Sequence, residues 1–379
     1  MALLLVSSLL HLYVGARLVP ALAGTPVAAT LLTAVLVASA IAMPLAFQAR
    51  RRASRSGTPV LLWAGLLFMG LFSSLFVLTV LRDAALLVVL AVSAIAPGVV
   101  TMHPVVAWTA AAVPLLAAFA TLWGLRNARR TATVVSVDIP IAGLPAALHG
   151  FTIAQISDIH LGGTIRRGYM QAIVDAVNDV DADMVAVTGD LVDGTVSQLT
   201  HDVAPLSGLS SRHGTFFVTG NHEYYSGVHA WMVELKRLGV KVLMNEHVVL
   251  QHGAASLVLA GVADYGAHHY DPSHRSDPGV AMAGAPRDAG VRVLLAHQPR
   301  SAAAAAQAGF DLQLSGHTHG GQFLPWNFLV RLQQPFTAGL DRLHNLWVYT
   351  SRGTGYWGPP KRFGAPSEIT RLRLICAQP

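Results

Sequence analysis

Five polar clusters hold the residue types that metal and phosphate chemistry uses: Asp158-Ile159-His160, Gly189-Asp190, Gly220-Asn221-His222-Glu223, His297 and Gly316-His317-Thr318-His319. Each follows an apolar run, and glycine flanks several of them, where backbone must approach closely. A single Asp-x-His or His-x-His is more often a turn or a satisfied surface pair than a ligand set. Five in one order are hard to assign to chance.

The elements that must position these clusters are strands. Apolar runs at 151–157, 184–188, 215–219, 256–260, 291–296 and 312–315 have the length and composition of buried strands. Segments near 167–180, 197–209, 228–238 and 300–308 have helical spacing, so the alternation predicts a layered α/β fold. Loops at the carboxyl ends of strands in such sheets converge on one crevice, and residues as distant as 158, 190, 221, 297 and 317 can then share a site. Later runs at 346–350 and 369–374 have no helix between them, which makes part of the sheet mixed. The stretch Gly266 to Gly284, rich in Gly, Pro, Ala and His, reads as an exposed loop. That setting outweighs a third metal on His268, His269 and His274.

The series DIH, GDLVD, GNHE, AHQP and GHTHGGQ resembles the calcineurin-like metallophosphoesterases over roughly residues 150–375. GHTHGGQ with the later GTGYWGPPKRFGAPSEI is similar, more narrowly, to the membrane-associated, YkuE-like bacterial phosphoesterases. The resemblance implies a β-sandwich flanked by helices and a ligand set, residue by residue. Asp158, His160 and His319 would bind a first ion, Asp190 would bridge to a second, and Asn221, His297 and His317 would complete the second. His222 would face the leaving group as acid or transition-state stabiliser. Two divalent ions roughly 3.5 to 4 Å apart grip a phosphate and acidify a water between them, so no protein nucleophile is required. Mixed Asp, His and Asn donors suit Mn²⁺, Fe or Zn²⁺ better than Ca²⁺.

Other candidates rank lower. Asp193 is read as tightening the loop after Asp190 or supporting a ligand, and equally as an exposed turn residue. Glu223 is read as orienting His222 or capping a helix. Arg352 and Arg362 are candidates for gripping substrate phosphate through bidentate hydrogen bonds, with Arg362 preferred for its place in the family-like segment.

Composition divides the chain. Residues 1–125 hold six Arg and one Asp, a net +5 (6 minus 1), while the remaining 20 Lys+Arg and 19 Asp+Glu give the rest only +1 (20 minus 19). A near-neutral catalytic part lacks the basic face that nucleic acid requires, so no nucleic-acid partner is expected. Cys376, the single cysteine, excludes an intrachain disulfide and a cysteine zinc site. Apolar stretches near 2–23, 26–47, 59–81, 84–101 and 104–125 are of spanning length, and Pro97-Gly98 and His103-Pro104 leave four or five crossings. The expected organisation is a transmembrane helical domain at 1–125, a linker and first strand at 126–149, and a metallophosphoesterase domain at 150–379. A multi-pass protein of the inner membrane follows. The loop with Arg50, Arg51, Arg52 and Arg55 is expected in the cytoplasm, and Arg126, Arg129 and Arg130 favour the same side for the enzyme. Arg17, within the first stretch, reads as snorkelling to an interface rather than as a lipid or interhelix contact.

The function expected is a membrane-anchored, two-metal phosphohydrolase acting on a phosphodiester, phosphomonoester or pyrophosphate bond through a metal-bridging hydroxide. The alternatives are a lipid-linked pyrophosphatase of the UDP-sugar-lipid type and a catalytically inactive membrane sensor or scaffold. A dead domain would have lost ligands, and all seven stand in this sequence with His222. The short connection after the last span favours a lipid-linked phosphorylated substrate. The stretch FLPWNF (Phe323 to Phe328) offers either an acyl-chain contact or packing onto the domain's own core.

Overall fold

The computed structural model describes residues 2–52 and 59–377, which form two units. Arg55, one of the four arginines expected in the cytoplasmic loop, lies outside the described residues. The first unit comprises residues 1–126 with the distant segment Gly358–Phe363, and the second comprises Asn127–Trp357 with 364–379.

The first unit is built on helices α1 (Ala2–Leu18), α2 (Pro26–Arg52), α3 (Pro59–Ile95) and α4 (Met102–Arg129). Among the described residues, four helices are long and apolar enough to cross a membrane. The stretches 59–81 and 84–101 therefore do not form separate helices. Most of both lies on α3, whose 37 residues extend about 55 Å at 1.5 Å per residue. The helix continues through Arg82-Asp83 because those charges find partners. Asp83 Oδ2 accepts from Arg17 Nε at 2.8 Å and from the Tyr13 hydroxyl at 2.7 Å, while Arg82 Nε donates to Thr109 Oγ1 at 3.1 Å. Arg17, expected to snorkel, is thus an interhelix contact. Pro97-Gly98 does break the helix, in the turn between α3 and α4.

Lys361, from the returning segment of this unit, is buried, and its ammonium donates to Gly70 O at 3.0 Å and Thr121 Oγ1 at 3.3 Å. A Cβ on Gly124 would lie 2.6 Å from Lys361 Cγ, so the glycine makes room for the stem.

The second unit pairs two six-stranded sheets. The first holds β1 (Thr133–Ile141), β2 (Thr152–Ile156), β3 (Met184–Val187), β4 (Thr215–Phe217), β5 (Lys241–Val242) and β12 (Glu368–Cys376), in the order β1-β12-β2-β3-β4-β5. The second holds β6 (Glu246–His252), β7 (Ala255–Gly261), β8 (Val291–Leu295), β9 (Leu312–Ser315), β10 (Gly339–Leu343) and β11 (Leu346–Thr350), in the order β10-β11-β9-β8-β7-β6. β2, β3, β4 and β5 are parallel, as are β7, β8, β9 and β11. β12 is antiparallel to β2, and the hairpins β6–β7 and β10–β11 are antiparallel, so both sheets are mixed.

Side chains alternate across a strand, and here both faces are covered, which is why the strands read as continuous apolar runs. Ile153, Met184 and Phe216 from one sheet meet Leu259, Val293 and Leu314 from the other in the central core. Ala154, Val185 and Phe217 face outward onto helices α5 (Arg167–Asn178), α6 (Val196–Val203) and α8 (Val228–Arg237), through Ile173, Leu199 and Trp231. Helix α7 (Asn221–Ser226) follows β4, and α9 (Pro278–Met282) lies in the segment expected to be loop. It forms because Asp277, before Pro278, accepts from the Gly279 and Val280 amides and so caps it.

Candidate metal centre

The parallel strands deliver the five clusters to one place. Asp158 and His160 leave β2, Asp190 leaves β3, Asn221 and His222 open α7 after β4, His297 follows β8, and His317 and His319 follow β9. Three groups of donor atoms result. Asp158, His160 and His319 form one, Asp190, His297 and His317 a second, and His160 with Asp193 and His222 a third that shares His160 with the first, the donors within each lying within 4.8 Å of one another. His160 Nε2 lies 3.0 Å from His319 Nε2, and His317 Nδ1 lies 3.1 Å from His297 Nε2. Asp190 Oδ2 stands between the first two groups, 3.3 Å from His297 Nε2 and 3.8 Å from His160 Nε2.

Backbone strain concentrates here. Asp158, His160, Asp190, His317 and His319 all have positive φ, which non-glycine residues adopt at a cost of about 1–3 kcal/mol each when surrounding structure enforces it. Two glycines explain how the carboxylates fit. A Cβ on Gly220 would lie 2.2 Å from Asp190 Oδ1, and one on Gly316 would lie 2.2 Å from Asp158 Oδ2.

Residues 151–321 match the family model of the calcineurin-like phosphoesterases. A metallophosphoesterase of Campylobacter jejuni is 36% identical over 268 residues, covering 69% of this chain and 68% of that protein. The chain belongs to the calcineurin-like phosphoesterase family. A "transmembrane protein with metallophosphoesterase domain" of Bos taurus is 43% identical over 266 residues, 67% of this chain. The Bacillus subtilis metallophosphoesterase YkuE is 28% identical over 61% of this chain and 81% of its own length. The match spans about three fifths of the length of the Bos taurus protein and of its Danio rerio counterpart, which carries the same description.

The donor set of this family member fits metal ions. His297 Nδ1 faces Thr188 O at 2.8 Å and His160 Nδ1 faces Asp193 Oδ1 at 3.0 Å; each Nδ1–H donates outward, which fixes the tautomer and turns the Nε2 lone pair inward. The Asn221 Oδ1 atom is buried without a hydrogen-bond partner, as a carbonyl ligand would be.

The buried charges are held by one another. Burial opposes ionisation of Asp190, yet His297, His222 and His160 hold its carboxyl well below the usual range. Burial works against His297 too, and Asp190 and Asp158 raise it well above an ordinary imidazole. Burial and then Asp190 push Asp158 up. His317, pushed down to about 3 by burial and by His297, is already neutral, whereas His297 would have to release its Nε2 proton on binding an ion.

Two residues ranked low from the sequence are central in the structure. Asp193 Oδ1 accepts from both His160 and His222, tying the two imidazoles together. Glu223 is buried, and its carboxylate accepts from the amides of Gly220 at 2.7 Å, Asp190 at 3.0 Å and Leu191 at 2.8 Å. It thus caps α7 and fixes the Asp190 loop together. Gln322, the last residue of GHTHGGQ, exchanges two hydrogen bonds with the Trp357 backbone. That holds the Trp357 ring 5.9 Å from His222, with Tyr225 at 5.1 Å. In the sequence this wall is marked by the final Q of GHTHGGQ and by the W of GTGYWG.

The two arginines part company. Arg352 packs its stem against Gly320 of the metal loop and donates to the buried Glu368 at 2.6 Å. Arg362 is fully buried and its backbone N–H donates to Gly124 O at 2.9 Å; the structure groups it with the helices rather than with the cluster. The FLPWNF stretch divides: Phe323 is buried, while Leu324 and Phe328 are exposed.

Proposed function

We propose that Asp158, His160, His319, Asn221, His297 and His317 hold two divalent ions bridged by Asp190, and that the chain hydrolyses a phosphorylated amphiphile at the membrane. The placement of Asp190 Oδ2 between the first two donor groups carries this reading. Such ions, of the Mn²⁺, Fe or Zn²⁺ class, neutralise phosphoryl oxygens and acidify water. The protein's part is positional. Glu223 sets the backbone of the Asp190 loop, and Asp193 accepts the Nδ1 proton of His222, leaving Nε2 to deliver a proton to the leaving oxygen. Arg352 is the arginine beside the metal loop that meets the phosphoryl group. Exposed Leu324 and Phe328, a few residues past His319, favour a substrate with an apolar tail.

Four crossings would put the end of α2 at Arg50–Arg52 and the catalytic unit on one side of the bilayer, the cytoplasmic side by the distribution of arginine. The test is a hydrolysis screen of the full-length protein with Mn²⁺, using nitrophenyl diesters, nitrophenyl monoesters and nucleotide-lipid pyrophosphates. Metal-dependent turnover of at least one class is expected; no turnover of any, with metal bound, would leave a scaffold.

A further inference from the structure

A second convergence of donor atoms lies in the catalytic unit away from the metal loops. Helix α8 begins with Val228-His229, and the turn Pro272–His274 follows Asp271. His229 Nε2 lies 3.2 Å from Asp271 Oδ2, and His274 Nε2 lies 3.9 Å from the same oxygen. One ligand atom from each of the three lies within 4.8 Å of the others. We propose that His229, Asp271 and His274 bind a third ion, a divalent transition metal of the Zn²⁺ class, that staples the Gly266–Gly284 segment to α8.

The neighbours of the three side chains favour metal binding over a plain ion pair. Asp271 Oδ1 is occupied by the Ser273 amide at 3.0 Å and the Ser273 hydroxyl at 2.6 Å, which leaves Oδ2 turned to the imidazoles. Those two bonds also hold the Asp271 carboxyl below the usual range, so it is a charged donor. The Nδ1 of His274 meets the Tyr224 hydroxyl at 3.0 Å; the tautomer that donates to Tyr224 presents an Nε2 lone pair to the group. An ion pair needs one imidazole for one carboxylate oxygen. Two imidazoles and a carboxylate turned to one point are the three-ligand set of an open zinc site, and the exposed side of His229 leaves the fourth position to water. Of the three histidines that the sequence places in this loop, His274 joins the group, whereas the rings of His268 and His269 lie 4.0 Å apart and tilted against each other.

The site reaches the catalytic centre through α7. Tyr224, which holds His274, sits two residues after His222, and Tyr270, beside Asp271, packs against Tyr225 of the aromatic wall at 5.6 Å. An ion here would order that wall.

The test uses the purified full-length protein titrated with Zn²⁺, with metal content counted per chain after gel filtration. Wild type, His229→Ala, Asp271→Asn and Asp190→Ala are compared, and amide hydrogen exchange is followed over residues 266–282. His229→Ala and Asp271→Asn should each hold one Zn²⁺ fewer than wild type, and Zn²⁺ should slow exchange over 266–282 in wild type but not in these variants. Asp190→Ala should keep the protection of 266–282 while losing catalytic-site metal. His229 is solvent-exposed, so its replacement leaves the fold intact, and elution at the wild-type volume verifies that. Equal Zn²⁺ content in wild type and both loop variants, or protection that survives in His229→Ala, would overturn the proposal. Should Asp190→Ala lose no metal while His229→Ala loses one ion, the loop site stands and the two-metal reading fails.

Discussion

At the scale of single residues the account turns on Asp190. Its carboxylate faces the two donor groups proposed to hold metal, so Asp190→Ala should strip metal from the centre while circular dichroism shows a folded chain. His222→Ala should separate from it. Its ring is held by Asp193 beside the ligands, so metal content should persist while kcat falls about 10² to 10⁴-fold, the usual loss for a general acid. A variant that sheds an ion would make His222 a ligand. Gly220→Ala is the subtler test, since the added methyl would lie 2.2 Å from Asp190 Oδ1 and force that carboxylate away. Metal affinity is expected to drop by at least the roughly 10 to 100-fold seen when a ligand's support is lost, measured by chelator competition. Wild-type affinity would show that the loop can yield. The residues proposed as ligands stand out in the sequence because their clusters close apolar strand runs, and the roles given to them rest on the family resemblance. Asp193 and Glu223 could not be ranked, because their roles lie in partners about thirty residues away, His160 at one end and Asp190 at the other.

Elements were legible where apolar runs mark them. The runs at 151–157, 184–188 and 312–315 became β2, β3 and β9 because both faces of each are buried. Strand β6 went unread because His247, Gln251 and His252 interrupt its apolar pattern on the edge of the second sheet. The membrane helices show the converse. Arg82-Asp83 separates the apolar stretches 59–81 and 84–101 in the sequence, yet Tyr13, Arg17 and Thr109 satisfy the charges and α3 runs on. Four helices long and apolar enough to cross are left among the described residues, and they make a topology prediction. Reporters fused after Arg52 and after Cys376 should both give cytoplasmic signals; opposite signals would require an odd number of crossings between them.

For the whole molecule, a segment between the Trp357 wall and β12 groups with the membrane helices. Nothing in GPPKRF announces this, since a Gly/Pro-rich run with two basic residues reads as a surface loop. The buried bonds of Lys361 to Gly70 and Thr121 reveal it. An enzyme carried on membrane helices meets lipid-linked substrates at high local concentration, and full-length protein in liposomes should turn over a lipid-linked phosphoester with a higher kcat/KM than a soluble analogue carrying the same scissile bond. Equal values would reduce the helices to an address. The most direct test of the two-metal hydrolase itself is turnover of a nitrophenyl phosphoester by the full-length protein as Mn²⁺ is titrated into wild type and Asp190→Ala. Wild-type activity should rise with Mn²⁺ to saturation and vanish with a chelator, and Asp190→Ala should stay more than about 100-fold lower at every concentration; turnover in Asp190→Ala that matches wild type, or wild-type turnover indifferent to metal, would contradict it.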